Sequence, residues 1–497
     1  MKYGMKFAFK SSIMVFFITP PFKNRALKPR FYFTKLILCK YIAQFVLLYA
    51  LFAKATELTI LLKMIPEQES WFKKEVLDPF SKEKEVEIKI RHFASYDELD
   101  SILFQDTTID VVKIPMERAE SYREKEYIIP ISAIADSTET ATIRSEFMLP
   151  PLAISERALY YIPRKLETRI MVYRTSKVIE AVDKYLNYQK DLDRELRRYR
   201  GKGLPDGFIL EPDPNHWDYY DVLMAGYVWS KQNPKKPQGR IGHRGKNYSG
   251  TFLRLIDRAF QFGAIRGEIS YISSKPVMES FLWEGVYSKF GAYNNRMFKE
   301  NWTGVDIWRA FGDSSIYLSF LTQLDCFFLL GTGENGLKGY LKSYEDVDFA
   351  VMPSAASFSG EEFMLANRNI TTGGWFWGIG RKTGKGRLAL DLIKHMSSED
   401  VQKKEFEAFG VLSARRSLLK ENRDELYLKR WRNRMLQTSI RQLNQNRFTF
   451  LPAYPDMDRL QNAYYRLLYR LCVENGDLHS IENAQGQINR MSIVVCP

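Results

Sequence analysis

Strand and helix periods alternate along residues 57–115, and this alternation constrains the fold more than any other feature of the chain. "ELTILLK" at 57–63 is a short apolar strand candidate, and "VEIKIR" at 86–91 alternates apolar and charged residues strictly. Between them, "EQESWFKKEVLDPFSKEK" repeats apolar residues at helical spacing. "IDVVKIP" at 109–115 follows as a buried strand ending at a proline. This order predicts a parallel sheet flanked by helices, with ligands at the carboxyl ends of its strands.

Positive charge is concentrated at one end of the chain. The 497 residues are enough for two lobes, each with its own core. The formal net charge of +14 would by itself suggest nucleic acid or an anionic membrane as a partner. Ten of the 73 Lys and Arg residues lie in residues 1–55, which contain no Asp or Glu, so the rest carries 63 basic and 59 acidic residues. The body is nearly neutral, and we expect no nucleic-acid partner.

The basic N-terminus also contains apolar runs, "IMVFFI" at 13–18 and "YIAQFVLLYALFA" at 41–53. The second run, with small residues before a cut after Ala55, is typical of an export signal. An uncleaved membrane anchor or a buried helix are the alternatives. "LILCK" places Leu38 before Cys39, which argues against lipidation there. The other cysteines are too few and too scattered for a disulfide framework.

Two stretches are rich in aromatic residues. "FLWEGVYSKFGAYNN" at 281–295 mixes Trp, Tyr, Asn and Gly, a composition that suits core packing and also suits a saccharide site. In "TTGGWFWGIG" at 371–380, strand alternation places Trp375 and Trp377 on one face and Phe376 on the other. We expect one of these faces to meet a ligand and the other to pack inside.

Motifs of catalysis and cofactor binding fail on spacing. "GTGENGLKGY" at 331–340 lacks the Gly-Lys-Ser/Thr of a phosphate loop, and Thr383 stands where a dinucleotide fingerprint needs its third glycine. No two of the five histidines have metal-ligand spacing, and there is no GxSxG motif. We therefore predict no catalytic residue, no metal site and no cofactor. A spatial pair of carboxylates for glycoside cleavage stays open.

Several linked stretches carry a family resemblance over residues 56–420. They are "ELTILLKMIPEQESWFKKEVLDPFSKEKEVEIKIRHFASYDEL", "DVVKIPMERAESYREKEYIIPIS", "YYIPRKLETRIMVYRTSKV" and "GGWFWGIGRKTGKGRLALDLIKHMSSEDVQKKEFEAFGVLSARRSLL". In this order the chain resembles the extracellular solute-binding proteins of bacterial ABC importers, particularly the sugar-binding family that includes maltose-binding protein.

The resemblance implies an α/β, two-lobed periplasmic-binding-protein-like fold, with a mainly parallel sheet in each lobe, a hinge, and extra C-terminal helices. Its expected division is 1–55 as export signal or anchor, 56–167 and 326–373 in the N-terminal lobe, and 168–325 and 374–497 in the C-terminal lobe. The insertion near 186–212 and the tail beyond 420 have no clear counterpart in the family.

The resemblance also implies ligand contacts. The segment "LETRIMVYR" crosses between lobes in the family, which points to Glu167 and Arg169 here. Trp283 and Tyr287 come from the middle aromatic segment, and Gly374 and Trp375 from the family's "GGW" stretch. The loops at the carboxyl edge of the sheet add the candidates Gln68, Glu69 and Met116.

The implied function is capture of a solute, a mono- or oligosaccharide, between two lobes and its delivery to the permease subunits of an ABC importer. We expect an exported monomer that is not an enzyme. Two alternatives stay open: an exported carbohydrate-active hydrolase that uses two cleft carboxylates, and a membrane-tethered interaction protein that has lost solute binding.

Overall fold

The computed structural model describes residues 56–105, 108–232, 238–331, 339–341, 343–360, 366–419, 431–445, 449 and 457–474. Residue contacts divide the chain into Met1–Thr56 and Glu57–Pro497. The predicted export signal, the center of the "GTGENG" loop, and Cys39 and Cys496 lie outside the described residues. Thr56 begins the first strand, and all other described residues belong to the second unit.

Eleven strands are formed by the described residues. In chain order they are β1 Thr56–Leu62, β2 Val86–His92, β3 Val111–Pro115, β4 Ile128–Ile129, β5 Ile154–Ser155, β6 Ala158–Leu159, β7 Ile162–Glu167, β8 Arg169–Arg174, β9 Leu318–Thr322, β10 Val347–Ala350 and β11 Gly373–Gly380. The larger sheet has the order β2-β1-β3-β11-β4, with β7 also paired to β11, and the smaller sheet has the order β10-β8-β9. The first lobe is built on the larger sheet and the second lobe on the smaller one.

The strand directions differ from the mainly parallel sheets predicted for both lobes. β1 and β3 are parallel, but β11 runs antiparallel to β3, β4 and β7, so the larger sheet is mixed. In the smaller sheet β8 is antiparallel to both β9 and β10. The physical reason is the path of the chain: β11 enters the first lobe from the second and therefore runs against the strands that point toward the second lobe. The α/β class itself is confirmed.

Helices cover both sheets. The α-helices are Pro66–Phe72, Asp78–Lys84, Tyr96–Gln105, Ala119–Glu124, Ser137–Glu146, Thr175–Lys184, Leu186–Arg200, Tyr219–Lys231, Ser249–Gln261, Lys275–Lys289, Arg296–Lys299, Gly304–Gly312, Gln323–Leu330, Gly386–Met396, Glu399–Phe409, Trp431–Gln445 and Met457–Val473. A π-turn, Lys73–Leu77, joins the first two helices. Within the described residues, no helix is both long and apolar enough to cross a membrane.

The helical spacing seen in residues 67–84 corresponds to burial. Phe72, Val76 and Phe80 are each at most 2% exposed and belong to a core cluster that extends through both lobes. Pro66 and Pro79 stand in the first turns of their helices, where a missing N–H has no cost. This helical segment therefore packs its apolar stripe on the larger sheet and keeps its charged residues outside.

The chain passes between the lobes three times. Thr168 lies between β7 of the larger sheet and β8 of the smaller one, and the chain returns between β10 and β11. The helix Glu399–Phe409 then packs in the first lobe, and the next described helix, Trp431–Gln445, packs in the second. The predicted boundaries placed 326–373 in the first lobe and 374–497 in the second. Because β10 belongs to the smaller sheet and β11 to the larger, both boundaries differ from the structure. Local periodicity identifies a strand but not the sheet that it joins.

For the tail, the sequence predicts helices near 421–445 and 456–473, and the start of the first range lies outside the described residues. The structure has Trp431–Gln445 and Met457–Val473. Trp431, Met435 and Leu436 are buried on the first of these helices, and Leu468 and Leu471 on the second. The two helices thus complete the core of the second lobe.

Candidate functional site

The carboxyl ends of β1, β3 and β7 meet the amino end of β11 at one edge of the larger sheet. This follows from the antiparallel register of β11, in which Trp375 pairs with Pro115 of β3 and with Lys165 of β7. β7 leads directly into the crossing to the second lobe at Thr168. In open α/β sheets, ligands bind outside the carboxyl ends of the strands, so this edge, the cleft edge, is the candidate site.

Trp375 is the aromatic residue placed at the cleft edge. It is partly buried, and the ammonium of Lys113 lies 4.3 Å from the centroid of its ring. Trp377, on the same face of β11, is fully buried and stacks on Phe72 with ring centroids 6.2 Å apart. Phe376 points to the other face and stacks on Tyr161 at 5.0 Å. The predicted alternation is confirmed, and the tryptophan face is the one that reaches the edge.

Gly374 allows β11 to approach β7 closely. Its φ of +141° is a conformation that L side chains rarely adopt, and a Cβ built on it would lie 2.2 Å from the carbonyl oxygen of Lys165. The same Cβ would lie 3.1 Å from Cε of Met116, which is itself 1% exposed. Gly374 and Met116 therefore pack against each other at the cleft edge and position the neighboring Trp375.

Glu167 ends β7 with its carboxylate at the surface of the cleft edge. Its side chain is 32% exposed and pairs with the ammonium of Lys165, which is 7% exposed. Burial by itself would raise the pKa of Glu167, but the positive charges of Lys165 and Lys113 lower it below its ordinary value. Glu167 is thus an anionic acceptor, able to bind hydroxyl groups.

Tyr96 and Glu117 form a second polar pair close to Glu167. The hydroxyl of Tyr96 donates to Oε1 of Glu117 at 3.1 Å, and Arg118 lies 5.4 Å from the centroid of the Tyr96 ring. Burial raises the pKa of Glu117, and the negative charge of Glu167 raises it further. The sequence prediction missed both residues, since nothing in their spacing distinguishes them from an ordinary helix start.

Lys113 was also missed, although the sequence contains a signal for it. A lysine inside the buried strand "VVKIP" is unusual because a buried charge requires compensation. Its side chain runs along the tryptophan face of β11, and its Nζ donates to the carbonyl oxygen of Lys63 at the end of β1. It belongs to the cleft edge for this reason.

Gln68 and Glu69 have partners within the first lobe. Gln68 is 5% exposed, and its Nε2 donates to Glu405 at 2.9 Å. Glu69 is partly exposed, and its Oε2 lies 2.8 Å from Nε2 of His92. Gln68 is therefore held in the packing of two helices, whereas Glu69 keeps a carboxylate near the edge.

Arg169 lies in the crossing between the lobes. Its guanidinium pairs with Asp257 of the helix Ser249–Gln261, with Nη2 2.7 Å from Oδ1, and donates to the hydroxyl of Thr371. Its side chain is 12% exposed. Arg169 therefore joins the two lobes, and its guanidinium is not available as a ligand contact in this structure.

Trp283 and Tyr287 are core residues in this structure. Both are completely buried on the helix Lys275–Lys289. The indole N–H of Trp283 donates to the carbonyl oxygen of Ala356 at 2.8 Å, and the hydroxyl of Tyr287 donates to the backbone carbonyl oxygen of Tyr219 at 3.0 Å. Because each polar atom is satisfied by the backbone, neither side chain offers a group to a ligand, and the structure does not bring them to the cleft edge.

A cavity of 960 Å³ lies elsewhere, in the second lobe beside the insertion near 186–212. Arg200, Lys202, Asp218 and Tyr220 are among its lining residues. The guanidinium of Arg200 donates to the carbonyl oxygens of Phe358, Lys202 and Gly203. The guanidinium of Arg200 is therefore occupied by backbone carbonyl groups. For this reason the cavity is a weaker candidate for a ligand site than the cleft edge.

In the described part of the chain, no group of three or more His, Cys, Asp or Glu side chains could hold a metal ion. Cys326 and Cys472 are buried free thiols, and burial raises the pKa of each. The candidate site is therefore made of an indole, ammonium groups and carboxylates. Such groups can stack on a ring and hydrogen-bond to hydroxyls.

No protein-family profile matches the sequence, and no curated protein matches it. Solved structures do match. The maltose-bound MalE3 of T. maritima is 15% identical, over 88% of this chain and 100% of the other, with a TM-score of 0.62. A solute-binding protein of an ABC transporter from Thermotoga lettingae, bound with α-D-tagatose, is 14% identical over 88% and 100%, with a TM-score of 0.61. The sugar-binding protein MalE of Xanthomonas citri is 14% identical over 88% and 98%, with a TM-score of 0.60. These likenesses show that the chain has the two-lobed fold of periplasmic binding proteins.

Proposed function

We propose that this protein captures a small solute, a mono- or oligosaccharide, between its two lobes and delivers it to an ABC-type permease. The observation that carries the proposal is the partly exposed indole of Trp375 at the cleft edge, opposite Lys165 of β7, whose ammonium pairs with the carboxylate of Glu167. A sugar ring has a C–H face that packs on an aromatic surface, and its hydroxyls need fixed polar partners. The cleft edge supplies both.

The path of the chain supports a mechanism by closure. Three crossings join the lobes, and the segments at Thr168 and Thr371 are held by Arg169 and Asp257. A ligand that contacts both lobes binds the closed form better than the open form, which is the difference in affinity that any such shift requires. Glu167, at the first crossing, would contact the ligand from the first lobe.

The solved neighbors support the ligand class. Their names mention maltose, α-D-tagatose and ribitol, which are all polyhydroxylated. We carry this chemistry to the present chain as part of the proposal. Binding requires no bond to break, so the proposed protein is not an enzyme.

The N-terminal residues 1–55 complete the proposal. Their ten basic residues and two apolar runs fit an export signal or an anchor that keeps the protein outside the cytoplasmic membrane. The partners would then be the solute and the two permease subunits. We propose a monomer, because one chain supplies both lobes.

Calorimetric titration tests the proposal with the chain from Thr56 onward and a panel containing maltose, D-tagatose, ribitol and longer oligosaccharides. We expect one solute to bind with a stoichiometry of one and no product. Release of product with turnover would support a hydrolase instead. If no small solute raises the melting temperature at millimolar concentration, an interaction protein without a solute becomes the better explanation.

A further inference from the structure

One cation at the cleft edge has no carboxylate partner. Lys113 is 4% exposed, and its ammonium contacts the carbonyl oxygen of Lys63 and the ring of Trp375. It forms no ion pair with any residue that the structure describes. Buried charges in proteins are ordinarily paired, because removing them from water is costly.

The neighboring charges are already used. Arg164 pairs with Glu405, both of them 2% exposed, and Lys165 pairs with Glu167. These two carboxylates and the cations Arg164 and Lys165 all act on Lys113, so two negative charges stand against three positive ones when Lys113 is protonated. Burial lowers the pKa of Lys113 well below its ordinary value, and Arg164 and Lys165 lower it further, while Glu405 and Glu167 raise it. An anion bound beside Lys113 would therefore stabilize its ammonium form.

The other carboxylates near this edge do not correct the imbalance. Oε2 of Glu69 lies at hydrogen-bond distance from Nε2 of His92, and Glu69 forms no ion pair with Lys113. Glu117 accepts from Tyr96, and burial raises its pKa, so its ionized form is disfavored. Arg169, the charged group of the crossing nearest to Glu167, is neutralized by Asp257. Among the described residues, no carboxylate therefore forms an ion pair with Lys113.

We infer that the solute is an acidic saccharide, one that carries a carboxylate or a phosphate, and that Lys113 selects it. The sugar ring would stack on the indole of Trp375 while the anionic group approaches the ammonium groups of Lys113 and Lys63. Lys63, whose carbonyl oxygen accepts from Lys113, directly follows β1, and its exposed ammonium donates to the carbonyl oxygen of Ala94. The inference rests on the proposed function and specifies its ligand class.

Matched ligand pairs test it by calorimetric titration. Digalacturonate is compared with its dimethyl ester, and glucose 6-phosphate with glucose, so that the members of each pair share their sugar rings and only one member carries an anionic group. We expect the acidic member of a pair to bind at least about tenfold more tightly. Added salt should weaken its binding but not that of the neutral member. The pair that shows the preference distinguishes carboxylate from phosphate.

The substitution Lys113→Met removes the ammonium and keeps most of the side-chain volume, and it should abolish the preference for the acidic member. Lys385→Met is the control: it removes a positive charge beyond the opposite end of β11 and should leave the preference unchanged. There the ammonium of Lys385 donates to the carbonyl oxygen of Glu57 and lies 3.7 Å from the carboxylate of Asp110.

The outcomes separate the inference from the proposed function. Equal or tighter binding of the neutral members by the unmodified chain would overturn the acidic ligand and leave saccharide binding standing. This comparison needs no variant and holds even if Lys113→Met fails to fold. Binding of no saccharide, acidic or neutral, would overturn the proposed function itself.

Discussion

Arg169 and Asp257 form a buried ion pair that joins the crossing between the lobes to the helix Ser249–Gln261. The same carboxylate accepts from the backbone N–H of Thr371 at 2.7 Å, and Thr371 lies two residues before the start of the return strand β11. One aspartate therefore holds two of the three crossings. Because charged hydrogen bonds of this kind are short and directional, the pair fixes the path of both segments.

Arg169→Met should destabilize the fold strongly. The substitution leaves Asp257, whose side chain is 2% exposed, without its counter-charge. Breaking a buried pair by removing one partner typically costs about 3–5 kcal/mol. Urea denaturation followed by circular dichroism measures the loss directly.

The control for this change is Lys184→Met, which removes a lysine that pairs with Glu180 on the surface and is 49% exposed. It should leave the midpoint of urea denaturation nearly unchanged, because exposed ion pairs contribute little to the free energy of unfolding. If Arg169→Met kept full stability but lost solute affinity, the sequence-based prediction of Arg169 as a ligand contact would be supported instead.

Gly374→Ala should destabilize the first lobe. The new Cβ would stand 2.2 Å from the carbonyl oxygen of Lys165 in a backbone conformation that alanine rarely adopts. Strained positions of this kind cost about 1–3 kcal/mol. Chemical denaturation gives the difference in free energy of unfolding.

The neighboring Gly373→Ala is the matched control. No heavy atom lies within 4 Å of a Cβ built there, so alanine fits. Equal effects of the two substitutions would show that the close approach of β11 to β7 is not what requires Gly374.

Much of the first lobe could be predicted because its signals are local. The strands predicted at 57–63, 86–91 and 109–115 correspond to β1, β2 and β3 of the structure. The direction and partners of β11 could not be predicted, because its sequence fits a parallel strand as well as an antiparallel one. Only the path through the second lobe decides its direction, and that path is set by contacts between distant residues.

The candidate site shows the same division. Alternation placed Trp375 and Trp377 on one face, as the structure has them. By contrast, composition alone could not tell that Trp283 is core, since its N–H partner, Ala356, is 73 residues away. The sequence does contain one signal for the site, a lysine inside a buried strand: Lys113 indicates a position where a buried charge needs compensation.

Acid should weaken the second lobe through Glu284. Burial by itself would raise the pKa of Glu284, but Arg254 and Arg258 lower it to about 2, against an ordinary value of 4.5. Its contribution to stability is therefore complete above about pH 5 and is lost as the pH falls toward 2. The full difference is on the order of 3 kcal/mol.

Comparison of the unmodified chain with Glu284→Gln isolates this effect. The variant should be less stable at pH 7, because two buried guanidinium groups lose their counter-charge. Denaturant titrations at pH 7, 5 and 3 give the difference in free energy of unfolding between the unmodified chain and the variant. This difference should be about 2 kcal/mol smaller at pH 3 than at pH 7. Glu87→Gln, at an exposed position, should follow the unmodified chain. If this difference in free energy of unfolding stayed constant with pH, it would contradict the lowered pKa of Glu284.

Trp375 and Trp377 should separate binding from stability, because they share one face of β11 but differ in exposure. Trp375→Ala removes the ring at the cleft edge, and we expect solute affinity to fall at least about tenfold with a small change in stability. Trp377→Ala empties a buried position beside Phe72 and should cost about 3–5 kcal/mol of stability. Calorimetric titration and urea denaturation of both variants give the two quantities. If Trp375→Ala lowered stability as much as Trp377→Ala does, Trp375 would be a core residue, and the stacking surface would have to be sought elsewhere in the cleft.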